Sequence, residues 1–316
     1  MARPEALIVI TGPTAVGKTR LVLELSKNHY IEVISADSMQ VYRYMDIATA
    51  KPEPEQIASL PHHLIDIVNP DEEFHAAKFA AMAKERIREV KARDRIPVVA
   101  GGTGLYIKAL IYGLAPAPAR SEHLRNALRS IITRRGMAYL ESMLQRLDPD
   151  AASNIRKNDA VRIIRSLEII FLTGYKTSSI YAAHSFHTPL YNAKIACIMP
   201  ERDLIFQNIE GRTSKMIKQG LLDETRRLLD MGYSPELRSM QTLAYKHVIS
   251  HLNSEITLDE AVGLIQRDTK RYAKRQITWM KRRSDHVFFD SVDQAFKSVA
   301  TWLYEESEIP FSVPRH

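Results

Sequence analysis

The sequence predicts an α/β fold, a parallel-sheet core interrupted by a block of helices. Three observations carry this. Short β-branched apolar runs alternate with helical patterns from the N-terminus to Tyr112. From Ser121 to Tyr181 the pattern is helical, with no convincing strand. Strand-like apolar segments then return at Ala193–Met199 and His286–Asp290. Strands on both sides of a helical block mark it as an insertion rather than a tandem domain. The boundaries so drawn are 1–115 and 191–316 for the core and 116–190 for the insertion.

Each element has its own signal. Ala6–Thr11 is an apolar run of strand length, followed directly by a glycine-containing motif, so it reads as a first strand and not a signal peptide. Arg20–Asn28 carries Leu and Val at helical spacing, and Ile31–Ala36 is a second strand. His63–Val68 is a candidate third strand. Phe74–Arg93, rich in Ala, Glu, Lys and Arg, is a long helix. The turn-like Arg93-Asp94-Arg95 leads into a strand at Ile96–Ala100, then a helix at Leu105–Tyr112. Leu114–Ala119, with two prolines, is a linker. Long helical patterns dominate between Arg202 and Met280.

Composition narrows the class. With 45% hydrophobic and 26% charged residues the chain is an ordinary globular one, not a disordered one. Its single cysteine, Cys197, excludes an intramolecular disulfide framework and a multi-cysteine zinc module, and reads as a buried small hydrophobe. No apolar run approaches the roughly 18 residues of a membrane span. A soluble, cytoplasmic protein is expected, and a monomer, since nothing demands more. A net charge of +7 is a mild hint of a polyanionic partner.

The strongest motif is Gly12-Pro13-Thr14-Ala15-Val16-Gly17-Lys18-Thr19, which fits G-x-x-x-x-G-K-[ST] between a strand and a helix. Backbone N–H groups of such a loop turn inward around phosphate oxygens, and the helix N-terminus adds a favourable dipole. Lys18 supplies positive charge, and the Thr19 hydroxyl is the expected ligand of Mg²⁺. This makes the core P-loop NTPase-like and the loop a nucleotide-binding or ATP-binding candidate. It does not choose among kinases, ATPases and proteins that bind a diphosphate without hydrolysing it. The usual second signature, a strand ending in a metal-holding Asp, has only a weak candidate at Asp66. The absence of N-K-x-D counts against a GTPase.

Further motifs decide more. Ser35-Ala-Asp37-Ser38-Met39-Gln40-Val-Tyr42 follows the second strand, then Met45-Asp46-Ile-Ala-Thr49-Ala-Lys51-Pro52, Pro61-His-His-Leu-Ile-Asp66 and Val99-Ala-Gly101-Gly102-Thr103-Gly-Leu-Tyr106. Arg271-Tyr-Ala-Lys274-Arg275-Gln-Ile-Thr-Trp279 lies near the C-terminus. From about residue 6 to residue 290, in order, this set resembles the bacterial tRNA dimethylallyltransferase (tRNA isopentenyltransferase) family. The resemblance implies transfer of a dimethylallyl group from dimethylallyl diphosphate to N6 of the adenosine just 3′ of the anticodon. It implies Asp37 as general base, Thr103 close to the leaving group and the tRNA, and Arg212, in Asn208-Ile-Glu-Gly-Arg212, as a diphosphate-binding residue. It also implies that Asp37, Ser38, Met39, Gln40, Thr103, Arg125, Arg162 and Arg165 face the tRNA, with the insertion gripping the anticodon stem. Two departures stand out: the family usually has Gly where this chain has Ala48 and Ala244.

The charge itself is concentrated. Residues 267–283 hold eight basic side chains, Arg267, Lys270, Arg271, Lys274, Arg275, Lys281, Arg282 and Arg283, against one acid, Asp268. At about 100° per residue, all but Arg283 fall within an arc of roughly 140° on one helix face. Tyr272, Ala273, Ile277, Trp279 and Met280 fall opposite. The stripe has the spacing to follow a phosphate backbone, so Lys270, Arg271, Lys274 and Arg275 are expected to contact tRNA.

Competing readings are a P-loop small-molecule or nucleotide kinase, an adenine-nucleotide isopentenyltransferase, and a non-enzymatic RNA-binding module. Phosphoryl transfer to a small acceptor needs neither the Asp37-Ser-Met-Gln motif nor the basic stripe. The insertion and the stripe favour tRNA over a free nucleotide. A complete P-loop beside a plausible base counts against a mere binding module.

Overall fold

The structure, a computed structural model, describes residues 4–184 and 188–306. Among them six strands form one parallel sheet: β1 (Glu5–Thr11), β2 (Ile31–Ser35), β3 (His62–His63), β4 (Ile96–Gly101), β5 (Tyr191–Ile198) and β6 (His286–Phe289), in the order β3-β2-β4-β1-β5-β6. The register aligns Ile8 with Val98 and Val9 with Ile195, so β1 is central and hydrogen-bonded on both edges. All five residues of β2 are buried, as parallel strands covered on both faces require.

The helices are α1 (Lys18–Ser26), α2 (Pro54–Ser59), α3 (Ala76–Lys91), α4 (Gly104–Tyr112), α5 (Glu122–Arg135), α6 (Met137–Leu147), α7 (Pro149–Asn154), α8 (Ala160–Thr173), α9 (Thr177–His184), α10 (Arg202–Lys218), α11 (Leu221–Asp230), α12 (Tyr245–Leu252), α13 (Leu258–Met280) and α14 (Val292–Glu306). The chain divides into two compact units, Met1–Ile111 with Leu190–His316, and Tyr112–Pro189.

The first unit has two cores. One packs Ile8, Ile10, Leu21, Val33, Val98, Ala196, Ile209, Ala273 and Val299 around the sheet. The other joins Val41 and Met45 to Leu221, Leu228, Tyr245, Val248 and Ile265. Cys197 is buried and forms no disulfide. The second unit closes around Leu128, Leu140, Leu144, Ile163 and Leu167. Its buried Glu168 accepts hydrogen bonds from the Ser121 amide at 2.8 Å and from Arg125 and Arg165 at 3.0 and 2.5 Å.

The structure differs from expectation in three respects. Of His63–Val68 only His63 lies in a strand, because Leu64 (φ 63°) and Asp66 (φ 55°) take left-handed conformations that no strand continues. Asp66 therefore ends no strand, and its carboxylate pairs with Lys51. Secondly, α13 stops at Met280, so Lys281, Arg282 and Arg283 lie beyond the helix and off its stripe. Thirdly, α2 and α14 were not anticipated. Helix α2 buries nothing and so has no periodicity; Pro54 and the Glu53 N–H to Gln56 bond at 3.0 Å start it. Helix α14 buries Ala295, Val299 and Leu303, an i, i+4, i+8 stripe.

Candidate active site

Three strands end at one place. After β1 comes the phosphate loop, after β2 comes Asp37, and after β4 come Gly102 and Thr103. Ligands of open parallel sheets bind at these carboxyl ends. Gly17 holds φ 89° as the residue before α1, a conformation that lets the loop turn into the helix. At Gly101 a Cβ would sit 2.2 Å from the Ala36 carbonyl oxygen, so only glycine lets β4 come this close to the Asp37 turn.

Within the loop, Lys18 Nζ donates to the carbonyl oxygens of Gly12 and Pro13 at 2.9 and 2.7 Å. Burial pulls its pKa down to about 8; the Asp37 carboxylate opposes this and Arg212 adds to it. Arg212, from α10, donates to Thr14 Oγ1 at 2.8 Å. Burial also lowers its pKa, again opposed by Asp37. The Asp37 carboxylate thus acts on two half-buried cations only at longer range, with no ion pair to either among the described residues, a setting that favours a bound anion.

Asp37 Oδ1 accepts from the Met39 N–H at 2.8 Å and more weakly from Gln40 N–H at 3.4 Å. Among the described residues Oδ2 accepts no hydrogen bond. Thr103 Oγ1 accepts from the Ser38 N–H at 3.0 Å and lies 3.3 Å from Ser38 Oγ. The Gln40 side chain is committed inward, accepting from Ser35 Oγ at 3.0 Å and donating to Ala50 O at 3.1 Å.

Two cavities open on this cluster. The larger, about 690 Å³, is lined by residues 14–20, Asp37, Arg212 and Gln276. The smaller, about 330 Å³, is lined by Ser38, Met39, Ile209, Met216, Leu243, Ile265 and Arg275 among others. Thr14, Asp37, Thr49, Arg212, Met216 and Tyr272 line both. Ala48 and Ala244 line the smaller one.

Two site residues escaped the sequence reading, both on α13. Tyr272 lines both cavities; burial and the Asp37 carboxylate push its phenol up to about 12, opposed by Arg275 and a hydrogen bond with Thr103. Gln276 is buried; its Oε1 accepts from the Thr14 N–H at 3.0 Å and its Nε2 donates to Gly102 O at 2.9 Å. It ties the phosphate loop to the Gly102–Thr103 turn. Tyr272 and Gln276 sit four apart beneath the basic stripe, a spacing that could have flagged them.

The expected RNA-facing cations differ in how free they are. Arg271 is 60% exposed, and Lys274 and Arg275 are exposed. Lys270 is ion-paired with Glu210 and lies over the Phe206 ring, as does Lys274. In the second unit Arg162 is 68% exposed. Arg125 is 10% exposed and committed to Glu168, and Arg165 bonds Glu168 and the Pro118 carbonyl. As placed, these last two hold their own unit together before they can offer charge outward.

Thr19 lines the larger cavity, and no group of three or more His, Cys, Asp or Glu side chains is gathered among the described residues. The Thr19 hydroxyl is a hard oxygen donor of the kind Mg²⁺ takes.

A model of the family described as IPP transferase matches residues 40–283. The chain is 49% identical over 273 residues to tRNA dimethylallyltransferase 2 of Syntrophus aciditrophicus (strain SB), covering 86% of this chain and 88% of that one. It is 44% identical over 276 residues to the tRNA dimethylallyltransferase of Geobacter sulfurreducens, covering 87% and 89%. Its structure is similar to that of the full-length tRNA isopentenylpyrophosphate transferase of Bacillus halodurans, with TM-score 0.69 and 37% identity over 96% of this chain and 97% of that one. A eukaryotic dimethylallyltransferase acting on tRNA aligns with TM-score 0.82 and 25% identity over 98% of this chain and 82% of that one.

Proposed function

The chain belongs to the IPP transferase family, and from that premise we propose how its site carries out dimethylallyl transfer to tRNA. The donor is dimethylallyl diphosphate, and the acceptor is N6 of the adenosine 3′-adjacent to the anticodon. The product is N6-isopentenyladenosine. The observation that carries this reading is Asp37, which stands where the two cavities meet, with one carboxylate oxygen held by backbone amides and the other open.

The diphosphate lies along Gly12–Thr19 in the larger cavity, where Lys18 and Arg212 await an anion. Adenine enters from the smaller cavity, past Ser38, Met39 and Arg275. As the N6–C1 bond forms, the C1–O bond to the diphosphate breaks and pyrophosphate leaves. Asp37 Oδ2 accepts the N6 proton, so the amine lone pair is released from the ring as it attacks. Lys18 and Arg212 stabilise the charge that grows on the leaving group. Thr103, whose Oγ1 accepts from the Ser38 amide and which contacts Tyr272, stands on the turn beside Asp37. Thr19 would hold Mg²⁺, which when bound neutralises further diphosphate charge.

Arg271, Lys274 and Arg275 contact the tRNA backbone, and Arg162 extends the contact on the insertion. We place the protein in the cytoplasm, as a monomer. Among the described residues no helix is long and apolar enough to cross a membrane.

Asp37→Ala tests the role of the base. Transfer in a single turnover is expected to fall by about 10²–10⁴-fold while donor and tRNA still bind. Near-normal single-turnover transfer would remove Asp37 from that role.

A further inference from the structure

We propose that Glu224 is a positioning residue that sets the width of the reaction site, and with it the prenyl length accepted, by fixing the segment Asp46–Ala48. Glu224 lies on α11 and touches neither cavity; it is buried, 2% exposed. Its Oε2 accepts from the N–H groups of Asp46 and Ile47 at 2.9 and 2.8 Å. Its Oε1 accepts from the Ala48 N–H at 3.1 Å and from Tyr245 Oη at 2.6 Å. Four donors converge on one carboxylate, three of them consecutive backbone amides.

That segment is a wall of the site. Ala48 lines the smaller cavity, Asp46 and Ile47 the larger, and the next residue, Thr49, lines both. Whichever side of Asp37 holds the prenyl tail, this wall borders it. The same stretch anchors Gln40 through the Thr49 and Ala50 carbonyls, and Thr49 Oγ1 turns back onto Met45 O at 2.5 Å. Lys51 closes it by pairing with Asp46 and Asp66. A loop would normally shift by an ångström to admit a larger group. Here three amides are tied to a buried anion that cannot follow the shift without losing its partners.

An amide in place of the carboxylate breaks this in either orientation. With the NH₂ group at the Oε1 position it faces the Ala48 N–H; at the Oε2 position it faces those of Asp46 and Ile47. At least one backbone donor is left opposite another donor.

The inference rests on the prenyl-transfer reading, so wild-type transfer of dimethylallyl to tRNA is the control. If the wild type makes no product, the reading itself fails. With that control positive, Glu224→Gln is compared with the wild type using dimethylallyl and geranyl diphosphate as donors. The expected result is a fall of at least tenfold in kcat/KM for the dimethylallyl donor and a rise of at least fivefold in the geranyl-to-dimethylallyl ratio. Inorganic pyrophosphate binding stays within threefold. A proportional loss with both donors, or none, overturns the proposal, because a merely structural role lowers both alike. Should the variant not fold, amide exchange in the wild type decides: the 46–48 amides should be protected at least 10²-fold over an open loop. Exchange at open-loop rates overturns the proposal.

Discussion

Lys18 shows how a single side chain couples burial to function. Its ammonium sits against two loop carbonyls, and burial brings its pKa to about 8. In the proposed reading it adds to diphosphate binding below that pH, where it is charged; as pH rises through about 8 the charge and that contribution are lost. At constant Mg²⁺ and without tRNA, dimethylallyl diphosphate is therefore expected to bind up to about tenfold more weakly at pH 9 than at pH 7. Lys18→Met should flatten this step, and a wild-type affinity unchanged from pH 7 to 9 would contradict it. At this scale much of the site was readable. The loop residues, Asp37, Thr103 and Arg212 converge at one strand-end cluster. Tyr272 and Gln276 were not read as site residues: they stand inside the Arg271–Trp279 motif, whose basic residues drew the reading to its outer face. Gln40 was expected to face RNA, and its side chain is spent on Ser35, Thr49 and Ala50.

Among the elements, α13 does two things at once. Its inner face sets Tyr272 and Gln276 against the phosphate loop and the Gly102–Thr103 turn, and its outer face presents Arg271, Lys274 and Arg275. Between them, Asp268 gathers Lys246, His247, Arg267 and Arg271. Burial works to raise its pKa, but the hydrogen bonds from Lys246, His247 and Arg267 hold it far below the usual carboxylate range. The cations are thereby held in place rather than left to wave. Replacing Arg271 and Lys274 by Gln is expected to reduce the slope of log K against log salt for tRNA by about 1 per residue, with donor binding unchanged. An unchanged slope would rule out phosphate contact by this face. The sequence pattern located this stripe but ran it too far, since periodicity alone does not show that the helix ends at Met280. The candidate strand at His63–Val68 failed for a similar reason: apolar residues marked burial, and two left-handed residues made the segment a turn.

For the whole molecule, the chain is a parallel sheet with its site at the strand ends, and a helical unit spliced between β4 and β5. The alternation of strands and helices and their return after Tyr181 made that architecture legible. What was not legible is how each unit balances its buried charge. In the second unit Glu168, fully buried, holds Arg125, Arg165 and the Ser121 amide. Glu168→Ala leaves Arg125 buried without its partner and is expected to cost about 3–5 kcal/mol in thermal or denaturant unfolding of that unit. Dimethylallyl diphosphate binding by the sheet unit should be kept, and a loss below about 1 kcal/mol would show the cluster to be incidental. The net +7, mild for the full length, equals the excess of residues 267–283 alone. In the proposed reaction the site at these strand ends transfers a prenyl group from its diphosphate to tRNA, and pyrophosphate leaves. That transfer is tested most directly by incubating the protein with Mg²⁺, labelled dimethylallyl diphosphate and either unmodified tRNA or AMP, beside an ATP control. Label in tRNA alone is the predicted result; label in AMP, or phosphate transfer from ATP, would contradict it.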